Sequence, residues 1–245
     1  MTVKDRLFWL HIKKSAGQST RRMLAPLYKQ VDRSKRPASF IQSPREDWND
    51  ILNNYRVPLG DYQFRRTLFA REHLYREEFD RYLRVAFARE PVSRAVSQFF
   101  YLWHTSSGRR VGARLWSDVS SLRFTGRLAH DFDRFLHAIE ACRASPSHFG
   151  PEGLHFQTHT AAMWDDIVDD AGAVLLDHVF RLEDLANGVN RVREALGHPP
   201  LAPADQAHVN RAKRASYTPT AAQKRRLEAL FGKDFEIFEG HCERL

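Results

Sequence analysis

The sequence is poor in cysteine, in lysine and in long apolar runs. Cys142 and Cys242 are the only cysteines among 245 residues. Two thiols 100 positions apart make neither a disulfide framework nor a zinc site, and no CxxC or HExxH pair appears. No stretch approaches the roughly 18 apolar residues that span a bilayer. The longest apolar runs, such as Leu7 to Leu10 and Ala173 to Leu176, are strand-sized. The segment Met1-Thr2-Val3-Lys4-Asp5-Arg6 lacks the apolar stretch and small-residue cleavage site of a signal peptide, so the expected location is the cytoplasm. Internal repeats and low-complexity tracts are missing. So is the order GxxxxGK[ST] of a Walker A loop, which disfavours an ordinary ATP or GTP phosphotransferase.

What is present is enough for a folded core. Hydrophobic residues make up 42% of the chain and charged residues 28%. No linker is evident, and residues 1–245 are expected to form a single domain. Lys and Arg number 38 against 30 Asp and Glu, a net charge of +8. That balance favours an anionic partner: a nucleotide, a nucleic acid, an acidic glycan or a lipid surface. A nucleic-acid-binding protein is one alternative, but acidic pairs at Glu46-Asp47, Asp165-Asp166 and Asp169-Asp170 argue against a continuous basic stripe. Only eight of the basic residues are lysine, which draws attention to where those lysines sit.

Periodicity gives the elements. Leu7 to Ile12 reads as a buried strand, Lys13 to Gln18 as a loop, and Ser19 or Thr20 as the cap of a helix running to about Tyr28. Residues 32–50 read as a loop, Asp61 to Phe69 is ambiguous, and Glu72 to Tyr82 looks helical. Leu83 to Ala88 is a second buried strand, and Pro91 starts a helix that ends near His104. Thr105 to Thr125 is long enough for a functional loop. A helix follows over Asp131 to Ala144, then a third strand over Ala173 to Phe180. A helix over Leu182 to Leu196 stops at Gly197, and a last one, capped by Thr218, runs from Pro219 to Phe231. Apolar strands separated by helices predict an α/β domain with a central parallel sheet covered on both faces.

Ligands in such sheets bind beyond the carboxyl ends of strands. The first strand ends in Lys13-Lys14-Ser15-Ala16-Gly17-Gln18-Ser19-Thr20. Gly17 allows close backbone approach, the amides of the following helix face an anion, Lys14 adds a charge, and Ser19 and Thr20 add hydroxyls. The stretch Leu10 to Ser19 resembles the HIPKTAGTS motif of sulfotransferases that use 3′-phosphoadenosine 5′-phosphosulfate (PAPS), with departures at Lys13, Ser15 and Gln18. Residues 84–101 resemble that family's second signature, R-[DN]-P-x-x-R-x-x-S-x-[YF]-x-[YF], with Glu90 in place of Asp or Asn.

The resemblance to the PAPS-dependent sulfotransferases, and to their carbohydrate-type branch, carries several implications. The fold would be a P-loop-like three-layer α/β/α. The loop Lys13 to Thr20 would hold the 5′-phosphosulfate, with Lys14 assisting the leaving group. Arg89 and Ser97 would hold the 3′-phosphate, while Arg94 would support the fold. Phe180 to Leu185 and Lys233 to Phe238 resemble structural elements, and His208 to Arg214 a stretch near the donor, which adds Lys213, Arg214 and Tyr217 as donor contacts. The sulfuryl group would pass in line to an acceptor oxygen, releasing 3′-phosphoadenosine 5′-phosphate (PAP), with no metal demanded. The acceptor would be a carbohydrate or glycolipid hydroxyl; a small molecule, lipid or tyrosine is the alternative. By analogy the enzyme would be bacterial.

The general base is less constrained. Family bases lie between the two donor motifs, where the chain offers His73 first and Glu72 second. His104 and the pair His155 and His159 are further histidines to weigh, and His11 reads as structural. Arg109, Arg110 and Arg114, with Trp103 and Trp116, are possible acceptor contacts or an ordinary solvated loop.

Overall fold

The computed structural model describes residues 6–31, 40–103, 127–145, 150–202 and 217–243. In chain order the elements are β1 (Leu7–Leu10), α1 (Gly17–Met23), α2 (Trp48–Leu52), α3 (Arg66–Phe69), β2 (Leu83–Ala88), α4 (Pro91–Leu102), α5 (Leu128–Ala144), α6 (Gly150–Thr160), α7 (Met163–Ile167), β3 (His178–Arg181), α8 (Leu185–Ala195), α9 (Ala221–Gly240) and β4 (Cys242–Glu243). They group into two compact units, residues 1–88 with 163–210 and 239–245, and residues 89–162 with 211–238.

The first unit is built on a four-stranded sheet in the order β1-β2-β3-β4, every pair parallel. Because side chains alternate along a strand, each of these apolar strands feeds two cores. Leu7, Trp9, Val85, Phe87 and Phe180 share one with Met23 at the end of α1, Leu24 just after it, and Leu185, Val189 and Val192 of α8. Phe8 points the other way, edge-on to Phe79 at 5.1 Å and Tyr75 at 6.1 Å. Helical segments therefore cover both faces, the three-layer α/β/α arrangement expected from the sequence. Gly188 lets α8 lie close to the sheet: a Cβ there would meet Phe87 at 2.8 Å and Phe180 at 2.9 Å.

Among the described residues β1 is an edge strand, and side chains close its outer side. Asn49 and Asn53, one turn apart on and just after α2, act as a ladder. Asn49 Oδ1 accepts the Trp9 N–H at 3.2 Å, and Asn53 Oδ1 accepts that of His11 at 2.7 Å. Both carboxamides donate to the Trp9 carbonyl, at 3.0 and 2.7 Å. Between them Asp50 receives Arg21 of α1 through two bonds, at 3.0 and 2.7 Å. Residues 40–50, read as loop from sequence, thus lead into and include part of a buried polar latch.

The second unit packs Phe99 and Trp103 beside Phe132, Phe135, Phe156, Leu227 and Phe231. Inside it Arg94 forms a buried ion pair with Asp234 at 3.1 Å and donates to the Ala161 carbonyl at 2.7 Å. α9 is kinked at Phe231, and Arg143 caps the Leu230 carbonyl at 2.7 Å while its guanidinium lies over the Phe231 ring. No helix among the described residues is long and apolar enough to cross a membrane.

Several boundaries differ from the sequence reading, each for a local reason. α1 starts at Gly17, because Ala16 turns left-handed (φ 51°) and brings the chain into the helix before Ser19. The expected helix over 72–82 is a π-helical turn, Ala70–Tyr75, followed by a 3₁₀ segment, Arg76–Arg81, with Arg76 at φ 49° between them. β3 begins at His178, because Val174 bridges back to Val168 while the Asp169 carboxylate gathers the Ala171 and Ala173 N–H groups. The last helix is capped by Thr220 rather than Thr218: Thr220 Oγ1 accepts from the Gln223 N–H, and Gln223 Oε1 accepts from the Thr220 N–H.

Candidate active site

The loop behind β1 holds two of the three non-glycine residues with positive φ among the described residues. Lys14 has φ 67° and Ala16 φ 51°, left-handed conformations that cost a non-glycine residue of order 1–3 kcal/mol each. Such strain persists only where neighbours impose it, and here they do. His11 is pinned at both ends, its N–H on Asn53 and its carbonyl accepting from Arg66 Nη2 at 3.2 Å. Arg66 is itself fixed by a buried, two-pronged pair with Asp166, at 3.0 and 2.6 Å. The His11 ring stacks on Trp9, with centroids 5.5 Å apart. It also fills the space a side chain at Gly17 would need, since a Cβ there would lie 1.7 Å from His11 Nε2. Glycine at position 17 is required by this packing.

Within the loop the predicted donor residues divide. Lys13 is buried and its ammonium donates to the Asn53 carbonyl at 2.9 Å, with His11 Nδ1 at 3.3 Å. Its side chain is committed to the interior. Thr20 is likewise turned inward, its hydroxyl donating to the Ala16 carbonyl at 3.3 Å. Lys14 and Ala16 are half-buried, Ser19 is buried on the first turn of α1, and Gln18 is exposed. Ser15 is 2% exposed and its Oγ has no hydrogen-bond partner among the described residues. An unmade hydrogen bond costs a buried hydroxyl about 1–3 kcal/mol, so this atom fits a site completed by a ligand acceptor.

α3 begins at Arg66 and continues into the π-helical turn that carries Glu72 and His73. Arg66 therefore ties this segment directly to the end of β1. Both candidate bases are exposed. Tyr62, in a stretch the sequence left ambiguous, organises the pair: its hydroxyl donates to Glu72 Oε2 at 3.0 Å, and its ring meets the His73 ring edge-on at 4.9 Å. Phe69 packs against His73 at 5.2 Å. The Glu72 carboxylate holds the Tyr62 proton in place and shifts that phenol's pKa upward. π-turns of this kind recur at functional sites.

In the second unit Arg89 and Ser97 are both half-buried, Ser97 on α4. The unusual Glu90 has a visible purpose. Its carboxylate caps α4, accepting the Val92 N–H at 2.8 Å and the Ser93 N–H at 2.6 Å, with Pro91 in the first turn. His155 and His159 stack edge to face, 4.7 Å apart, and Tyr101 lies against His159 at 4.7 Å. Lys213, Arg214, His104, Arg109, Arg110, Arg114 and Trp116 lie outside the described residues. Cys142 and Cys242 are free and buried, and burial pushes both thiols up to about 12, so neither is a nucleophile at neutral pH.

A profile of the sulfotransferase family matches residues 1–239. No curated protein and no solved structure matches the chain. A match over nearly the whole length shows the family: this chain belongs to the sulfotransferase family and is a PAPS-dependent sulfotransferase.

Proposed function

From that membership we propose that the loop Lys14 to Ser19 receives the phosphosulfate of PAPS and that the accepting group is a hydroxyl of a carbohydrate or glycolipid. The observation that carries the donor assignment is Ser15, whose buried hydroxyl, without a hydrogen-bond partner among the described residues, lies between two left-handed residues just after β1. The donor supplies an activated sulfuryl group and a stable leaving phosphate. Lys14 and Ser15 supply fixed positive charge and a hydrogen bond where negative charge grows on the departing oxygen, so little reorganisation is needed at the moment of transfer. Ser19 and the amides entering α1 extend the same cradle. Arg89 supplies a forked cation and Ser97 a hydroxyl for the 3′-phosphate.

In the transfer the bond between sulfur and the 5′-phosphate oxygen breaks as a bond forms to the acceptor oxygen, and the acceptor proton passes to a base. His73 is our choice. Glu72 already accepts the Tyr62 proton and lies 3.6 Å from Arg71, whereas Tyr62 and Phe69 hold the His73 ring with its rim in solvent. A base must reach the hydroxyl first and match its pKa second.

Thermal-shift titration with PAP, against ATP and AMP, tests the donor site, since a ligand that binds only the folded state raises its melting temperature. Stabilisation by PAP alone, weakened in Arg89→Ala and Lys14→Ala, is the expected result. Preference for ATP, or no shift, would sink the assignment. Sulfate transfer from labelled PAPS to a panel of glycans, glycolipids, phenols and tyrosyl peptides then reads the acceptor class. His73→Ala should abolish transfer while leaving the PAP shift intact.

A further inference from the structure

The mechanism above leaves His11 as a wedge between Trp9 and Gly17, yet its ring nitrogens are not equivalent. Nδ1 faces the Lys13 ammonium at 3.3 Å. An ammonium has three donors and no acceptor, so Nδ1 can meet it only as an acceptor. Lys13 has no freedom to offer anything else: it is buried, it donates to the Asn53 carbonyl at 2.9 Å, and the Tyr55 ring lies 5.9 Å from its nitrogen. A protonated imidazole would set a second cation 3.3 Å from the first. A neutral ring with its one proton on Nε2 satisfies this contact, and Nε2 is the atom nearest the side-chain position of Gly17.

We propose that His11 is a donor-contacting residue, a neutral imidazole whose Nε2–H is held by Lys13 to hydrogen-bond an anionic oxygen of the phosphosulfate. This rests on the assignment of the loop as the donor site. It gives the buried Lys13 a task that direct contact does not: it fixes a proton on its neighbour. It also gives the glycine a second meaning, because any side chain at position 17 would displace the nitrogen that carries that proton. Asn53 enters the same chain, holding the His11 N–H through its carboxamide and Lys13 through its carbonyl.

Two variants separate this role from wedging. His11→Asn keeps an acceptor for Lys13 but lacks the Nε2–H; His11→Gln extends an N–H back toward the lost position. Calorimetric titration with PAP should show a dissociation constant on the order of tenfold or more higher in His11→Asn, as for a hydrogen bond to a charged group. His11→Gln should recover part of that loss, with the melting temperatures of the two free variants alike. Independently, long-range ¹H–¹⁵N correlation spectra of the ligand-free wild type should place the unprotonated nitrogen at Nδ1, and PAP should shift the Nε2 resonance. A proton on Nδ1, or equal PAP affinity in wild type and His11→Asn, would overturn the proposal while the donor site stood. Failure of the wild type to bind PAP would remove the donor site, and this proposal with it.

Discussion

In residues 11–20 the backbone is held by side chains far away in sequence: Asn53 lies 42 positions from His11, Arg66 lies 55, and Asp166 lies 100 from Arg66. In residues 89–97 the helix start is set by its own neighbours, Glu90 reaching only two and three positions onward and Pro91 fixing the first turn. The first arrangement shapes a loop with two left-handed residues that local preference opposes. The second shapes a helix that local preference already favours. A strained loop needs outside constraint, and the polar residues that supply it must be buried to be rigid.

The largest expected effect comes from a buried, long-range ion pair of the second unit. Arg94 and Asp234 are almost fully buried, so Arg94→Ala strands a carboxylate in the interior and should cost about 3–5 kcal/mol in urea unfolding. Replacing both partners, Arg94→Met with Asp234→Leu, should recover most of that loss. If the double variant were as unstable as the single one, the pair would have to act through the Ala161 carbonyl rather than through charge.

Next in size is the latch on β1. Asn53→Ala leaves the His11 N–H without its acceptor, while the Trp9 carbonyl keeps Asn49. The expected cost is about 1–3 kcal/mol. The comparison is sharpened by a second readout: because the latch fixes the loop, PAP affinity should fall in Asn53→Ala beyond what lost stability explains. The Arg94 and Asp234 double variant, once refolded, should bind PAP more nearly as the wild type does.

This contrast also explains what could be read from the sequence. The α/β class, the parallel sheet and the family's two motifs were legible because they depend on short-range patterns: apolar runs, Pro91 at a helix start, lysine and serine around Gly17. Glu90 counted as a departure from a motif, but its acid chemistry suits the cap it forms. The latch was not legible. Asn49, Asp50 and Asn53 look like ordinary surface polar residues in a loop, and nothing local says that their partners are the free edge of β1 and Arg21. The place of the Lys13 ammonium was hidden for the same reason, since only the folded chain shows it turned toward Asn53. Tyr62 had no signal beyond being aromatic near Glu72.

A smaller effect should follow from the local device of the second unit. Glu90→Ala removes the cap of α4 and should cost about 1 kcal/mol, whereas Glu90→Asp, with a common capping side chain, should cost less. Should Glu90→Ala destabilise as much as Asn53→Ala, local capping would matter as much as the long-range latch, and the distinction drawn above would fail.

The smallest effect tests whether local capping in the first unit behaves like that of Glu90. Asp169 accepts from the Ala171 and Ala173 N–H groups at 3.0 and 2.9 Å and lies 3.6 Å from Arg71. The Ala173 N–H above all pulls its pKa below the usual aspartate value; burial, next in strength, opposes it, and the Ala171 N–H and the Arg71 charge add to the lowering. A carboxylate with a lowered folded-state pKa adds stability that is fully present above the unfolded value of about 3.9. That stability is lost as pH falls below this value and through the folded pKa. Asp169→Asn keeps one amide acceptor but no charge. Its melting temperature should therefore lie below wild type at neutral pH, and the gap should narrow as both proteins are acidified below about pH 4. A gap that stayed constant with pH would mean that the turn depends on hydrogen-bond geometry alone. The Asp169 turn would then be unlike Glu90, where carboxylate charge also meets the positive end of a helix.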